Sequence, residues 1–233
     1  QISTSAMDIT GLAFDASRQK LYATERNSAT LYVLDWDSEN LTLTLDPNTV
    51  TLADIQYACG LAINSDADIL YVSKYYYKSG AGAVYEDIYV YDIADNFEFV
   101  ETIHMHNKGV VGIAYNPVND ALYGGAYGSE NGIPREYLVR KVFDPNSISV
   151  KDIGAMAIGV AADHTRADII YAATFRDSVP QVELWDTSQW SDTQYEPVYV
   201  DADANGIEHP AGILFTTAGY KPGHKIDVDI DDG

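Results

Sequence analysis

Apolar residues fall in short runs parted by clusters of Asp, Asn, Ser, Gly and Pro, and no useful length of chain carries the 3.6-residue period of an amphipathic helix. The clearest unit is ITGLAFDASRQKLYATERNSATLYVLD, from Ile9 to Asp35: a glycine-led strand, a polar turn, a Leu-Tyr strand, a loop, and a strand closing on Asp. Gly11, Gly60, Gly112, Gly159 and Gly212 open GLAF, GLAI, GIAY, GVAA and GILF. Leu21-Tyr22, Leu70-Tyr71, Leu122-Tyr123 and Ile170-Tyr171 follow the first four, each tyrosine 11 or 12 residues after its glycine, while glycine-to-glycine spacings run from 47 to 53. A third strand ends each unit on Asp35, Asp92, Asp144 or Asp186. A fixed inner offset inside a drifting outer spacing marks the first two strands as the constant part of a repeat and the loops as its variable part.

Each unit reads as four strands, because Val, Ile, Leu, Tyr and Thr crowd these runs and turn formers fill the joints. The first unit is expected at Gly11 to Phe14, Lys20 to Thr24, Thr30 to Leu34 and Thr42 to Leu45. The second takes Gly60 to Ile63, Ile69 to Ser73, Asp87 to Tyr91 and Glu98 to Ile103. The third takes Gly112 to Tyr115, Ala121 to Gly125, Tyr137 to Phe143 and Ser149 to Asp152, and the fourth Gly159 to Ala162, Ile169 to Thr174, Gln181 to Trp185 and Pro197 to Val200. Four antiparallel strands repeated about every 50 residues predict an all-β propeller. The blades span about 9–50, 58–103, 110–152 and 157–201, with part of a fifth at 210–219 and an acidic strand or linker at 220–233. The expected architecture is four full repeats plus part of a fifth, either a fragment of a larger propeller, the favoured choice, or a small closed ring.

The wording of the repeats resembles the NHL and YVTN families of propeller repeats. GLAFDASRQKLYATERNSATLYVLD is similar to the NHL pattern, and AINSDADILYVSK with DIYVYDIADNFEFVETI is similar to the YVTN pattern. Longer loops in the second and third units depart from both. The resemblance implies a scaffold, often extracellular or surface-attached in the YVTN case, and no particular reaction.

Charge narrows the partners. Lys and Arg number 14 against 35 Asp and Glu, a formal net charge of −21 with a pI near 4.2. Such a surface repels phosphate backbones, which excludes nucleic acid as a partner, and disfavours anionic membranes. It favours cation association or a salty, extracellular medium that screens self-repulsion. No apolar stretch of membrane-spanning length exists, and QISTSAMD shows neither a basic start nor an apolar core, so no signal peptide is visible. Cys59 is the single cysteine, excluding an internal disulfide and any CxxC site.

Propeller geometry sorts the loops. If strands A to D run outward from the axis, the D-to-A and B-to-C loops share one face and the A-to-B and C-to-D loops the other. Candidate binding residues gather on the first face: Arg26, Tyr75, Tyr127 and Arg176 just after strand B, and Asp8, Tyr57, Lys108 and His209 just before strand A. The two longest B-to-C loops, 74–87 and 127–136, also fall there. Tyr75, Tyr76 and Tyr77 with neighbouring glycines could stack on sugar rings or a protein partner, or simply extend strand B. His104 and His106 share a strand side, and His106 with His209 allows a metal site over the channel to be drawn, as in some NHL-like lyases. A solvated or hydrogen-bonded histidine pair is the competing reading.

Asp227, Asp229 and Asp231 alternate as at the start of a calcium loop, although Asp232 stands at the glycine position and no bidentate Glu follows. Asn40-Leu41-Thr42 fits a glycosylation acceptor. G-x-S-x-G, P-loop, HExxH and G-x-G-x-x-G patterns are absent. The chain is therefore expected to be a non-enzymatic extracellular or cell-surface scaffold for a protein or glycan partner or for self-assembly, with calcium as the one candidate cofactor. The alternative is a metal-dependent propeller lyase or hydrolase with its site at the channel mouth.

Overall fold

In the computed structural model the described residues form four antiparallel blades around a ring, an all-β propeller. The structure describes residues 9–25, 28–53, 55, 57–74, 87–105, 109–130, 133–176, 179–191 and 197–201. Blade 1 holds β1 (Ile9–Asp15), β2 (Lys20–Glu25), β3 (Thr30–Asp37) and β4 (Thr42–Leu45), with β5 (Val50–Thr51) as a short further edge on β3. Blade 2 holds β6 (Ala58–Asn64), β7 (Ile69–Lys74), β8 (Ile88–Asp92) and β9 (Glu98–Ile103). Blade 3 holds β10 (Gly109–Asn116), β11 (Ala121–Glu130), β12 (Ile133–Val142) and β13 (Ser147–Asp152). Blade 4 holds β14 (Met156–Ala162), β15 (Ile169–Arg176), β16 (Val179–Asp186) and β17 (Val198–Asp201).

The repeat glycines are explained by the inner strands. Pairing of each inner strand with its neighbour slips at the glycine or just before it, between Ile9 and Gly11, Ala58 and Leu61, Val110 and Ile113, and Ala157 and Gly159. These bulges bend the inner strand against the next blade. A Cβ on Gly11 would stand 2.3 Å from the Cys59 carbonyl oxygen, one on Gly60 2.5 Å from that of Val111, and one on Gly112 2.3 Å from that of Ile158. Only a residue without a side chain lets successive backbones approach so closely.

The repeat tyrosines fill the seams between blades. Tyr22 meets Phe97 of blade 2 edge-on at 5.8 Å, and Tyr71 stacks on Tyr115 and Phe143 of blade 3, each at 5.8 Å. Tyr123 meets Trp190 of blade 4 edge-on at 6.4 Å. Around them lie three apolar clusters, one per seam: Leu31, Val33, Leu61 and Val72 between blades 1 and 2; Ile88, Val90, Ile113 and Val139 between 2 and 3; Leu138, Val160, Ile170 and Trp185 between 3 and 4. Burial of this apolar area is the main force holding blade to blade.

One element departs from expectation. The stretch 127–136 is a hairpin rather than a long loop: β11 and β12 stay paired through Gly128 with Arg135, Ser129 with Pro134 and Glu130 with Ile133. Among the described residues the pairings of both flanking strands stop earlier, at Tyr127 with Gly109 and at Tyr137 with Asp152. Blade 3 thus carries a two-stranded arm running three residue pairs, about 10 Å, beyond the pairing of its strand A.

Candidate functional site

The A-to-B turns form one face, and polar side chains there bind blade to blade. The fourth residue after each glycine is Asp15, Asn64, Asn116 or Asp163, and each folds its own turn or reaches the next. Asp15 is fully buried; its Oδ1 accepts from the Ser17 amide at 2.9 Å, the Ser17 hydroxyl at 2.6 Å and the Ser65 hydroxyl of blade 2 at 3.1 Å. Arg18 donates to Asp15 Oδ2 at 2.6 Å and also to Asp68 of blade 2. Burial pushes the Asp15 carboxyl up, but the hydrogen bonds from Ser17, Arg18 and Ser65 together outweigh it and hold the pKa below the ordinary 3.8. Asn64 Nδ2 donates to the Tyr115 hydroxyl of blade 3 at 2.8 Å, and that hydroxyl donates to Asp120 at 2.7 Å. Asn116 Nδ2 donates to the carbonyls of Asp163 at 3.2 Å and Arg166 at 2.8 Å in blade 4. These are charge-assisted or buried bonds, the kind whose loss leaves a costly orphan.

The other face, of D-to-A and B-to-C connections, holds few such ties among the described residues. Tyr127, half-buried, sits opposite Gly109 and Glu136 at the root of the blade 3 arm. Arg176 is the last residue of β15, opposite Val179 at the tip of a second, shorter hairpin. His104 follows β9, is 81% exposed, and places Nδ1 3.0 Å from Asp87 Oδ2. The next residue, Met105, turns inward and is buried between blades 2 and 3. Lys74 Nζ lies 3.3 Å from the Tyr89 hydroxyl and 5.4 Å from the centre of that ring.

Of the predicted site residues, Tyr127 and Arg176 are therefore on the expected face. Arg26, Tyr75, Tyr76, Tyr77, His106, His209, Asp227, Asp229 and Asp231 lie outside the described residues. Among the described residues no group of three or more His, Cys, Asp or Glu side chains could hold a metal ion. No helix among them is long and apolar enough to cross a membrane.

Between the inner strands runs a cavity of about 340 Å³, bordered by the strands that start each repeat and by Cys59, Gly60, Val111 and Gly112. Its lining is aliphatic and backbone, with Thr10 already donating to the Ala58 carbonyl at 2.8 Å. Towards the A-to-B face a smaller space of about 120 Å³ is bordered by Phe14, Tyr115 and His164. Burial of the His164 ring lowers its pKa, opposed by a hydrogen bond with the Tyr115 backbone and by Asp163. Among the described residues neither space brings a nucleophile together with a base.

Sequence reading missed two features. The Asx residue four positions after each glycine was legible as a constant offset, yet its bonds to the next blade follow from ring packing. The arm was hidden because GSENGIPRE has the composition of a loop.

Blades, seams and channel together define a β-propeller. No protein-family model matches the chain, and no curated protein does. Solved structures do. A chain of the nidogen/laminin complex is 15% identical with a TM-score of 0.64, over 91% of this chain and 70% of that one. A chain of Kuenenia stuttgartiensis hydrazine synthase is 11% identical with a TM-score of 0.59, over 87% of this chain and 59% of that one. A chain of the mitotic checkpoint complex is 16% identical with a TM-score of 0.53, over 83% of this chain and 51% of that one. At such identity the likeness is one of fold.

Proposed function

We propose that this propeller is a non-enzymatic binding scaffold that engages a protein partner through the face carrying the blade 3 arm, in an extracellular or cell-surface setting. The observation that carries the reading is the arm itself. Among the described residues β11 and β12 continue as a two-stranded ribbon beyond the pairing of the flanking strands, so their outer edges present backbone donors and acceptors to a partner. Natural sheets blunt such edges unless they are used. The polar latches among the described residues, by contrast, are concentrated on the opposite face and are consumed in holding the ring together.

Two of the similar solved chains come from assemblies of several proteins, a nidogen/laminin complex and a mitotic checkpoint complex, which agrees with a scaffold role. A net charge of −21 points to a partner with a basic contact surface. A glycan partner, self-assembly and calcium at Asp227, Asp229 and Asp231 are the finer possibilities within this reading.

Purified extracellular proteins and immobilised glycans, screened against the wild type and a variant in which 129–134 are replaced by Asn-Gly, test it. Support is a protein bound by the wild type and lost in the variant with an unchanged circular dichroism spectrum. A stoichiometric transition metal that is lost in His106→Ala or His209→Ala would overturn it in favour of a metal-dependent enzyme.

A further inference from the structure

The four blades are not equally covered. The residue after each repeat glycine and the one two further on face the preceding blade: Leu61 and Ile63 pack on blade 1, Ile113 and Tyr115 on blade 2, Val160 and Ala162 on blade 3. Leu61, Ile113 and Val160 are each 5% exposed. Their counterparts in blade 1, Leu12 and Phe14, are 59% and 42% exposed. Among the described residues inner strands pack in succession, β1 on β6, β6 on β10 and β10 on β14, and β14 does not pack on β1 to a comparable extent. β1 and β14, like β6 and β10, border the central cavity of about 340 Å³, so the uncovered flank of blade 1 leaves an opening beside the channel on the side of blade 4.

We infer that this opening is a seat for the chain's own segment 202–233, which completes the ring with its Gly212 strand between β14 and β1. Two features fit it to the place. PAGILFTT repeats the glycine-led strand 53 residues after Gly159, inside the range of the other repeats. The second residue after the glycine, which faces the following blade at Ala13, Ala62 and Ala114, is also alanine at Ala161 and is Leu214 in the fifth repeat. A leucine there supplies apolar volume where Leu12 and Phe14 are uncovered. The inference stands independently of the binding reading.

The seam between blades 1 and 2 provides the test. There Ser65, five residues after its glycine, touches Asp15, four residues after its own, at 3.1 Å. The corresponding pair across the closing seam is Ala16 and Thr216. In a Cys59→Ser background, Ala16→Cys with Thr216→Cys is oxidised under non-reducing conditions, with circular dichroism to check the fold. An intramolecular disulfide in most of the monomer is expected. A disulfide-linked dimer would overturn the inference by giving the seat to a second copy. Two thiols that both stay free to alkylation in a folded monomer would overturn it as well, leaving the seat to other parts of the polypeptide or to a partner.

Discussion

The two faces of this propeller use polar residues in opposite ways. On the A-to-B face Asp15, Asn64, Asn116 and Asp163 recur at one offset from glycine, and bonds cross every described seam: Ser65 to Asp15, Asn64 to Tyr115, Asn116 to blade 4. On the other face the connections differ from blade to blade, and the described contact of His104 with Asp87 lies within a single blade. A ring of wedges must be tied seam by seam, and one face suffices for that. The other is then free to vary, which is where a binding surface can be built.

The comparison breaks most readily at the seams. Tyr123→Ala removes a fully buried ring that packs on Trp190 and donates to the Ala167 carbonyl at 3.2 Å. It should cost about 3–5 kcal/mol in denaturant unfolding. Gly60→Ala puts a methyl 2.5 Å from the Val111 carbonyl and should cost about 2 kcal/mol by the same measurement, since two backbones must part. A loss below about 0.5 kcal/mol for either would mean that the seams are not what holds the ring.

Asp15→Asn keeps the shape and removes the charge that Arg18 and Ser65 address, and should cost about 2 kcal/mol near neutral pH. The pH dependence sharpens this. Because the folded pKa of Asp15 lies below the ordinary 3.8, its stabilisation is complete above that pH and is lost as pH falls through the folded value. Asp163 has the same sign. Stability of the wild type should thus fall more steeply below pH 3.8 than that of Asp15→Asn. At the other extreme, burial raises Tyr22 from 10.0 to about 12, so its contribution is complete below pH 10 and drains away as pH rises from 10 towards 12. Tyr22→Phe should flatten that alkaline limb in a thermal-melt series.

The smallest effects belong to the open face. Shortening the arm by replacing 129–134 with Asn-Gly joins Gly128 to Arg135, which already pair, through a favoured two-residue turn. His104→Gln removes a contact with Asp87 made by a histidine that is mostly in water. Both should leave the unfolding midpoint within about 0.5 kcal/mol of the wild type. A larger loss would show that this face, too, is part of the ring's fastening.

Much of this was legible in the chain. Alternation of apolar runs with turn residues placed the strands, because side-chain period two and turn chemistry are local properties. The glycine-to-tyrosine offset marked the constant core of each blade, and β1, β2, β6, β7 and β9 fall at or within two residues of their expected bounds. What local chemistry could not show was which neighbour each residue would meet. That glycines are demanded by carbonyls of the following blade, that Asp15 serves blade 2 as well as its own turn, and that 127–136 forms an arm depend on contacts between residues some 50 positions apart or on pairing across a turn. So does the uncovered flank at Leu12 and Phe14, which is written like its three counterparts and differs only in what packs against it. Sequence by itself determined the blade; only the closing of blades upon one another decided which of its residues became seam, channel or open face, because that assignment is made by partners far away along the chain.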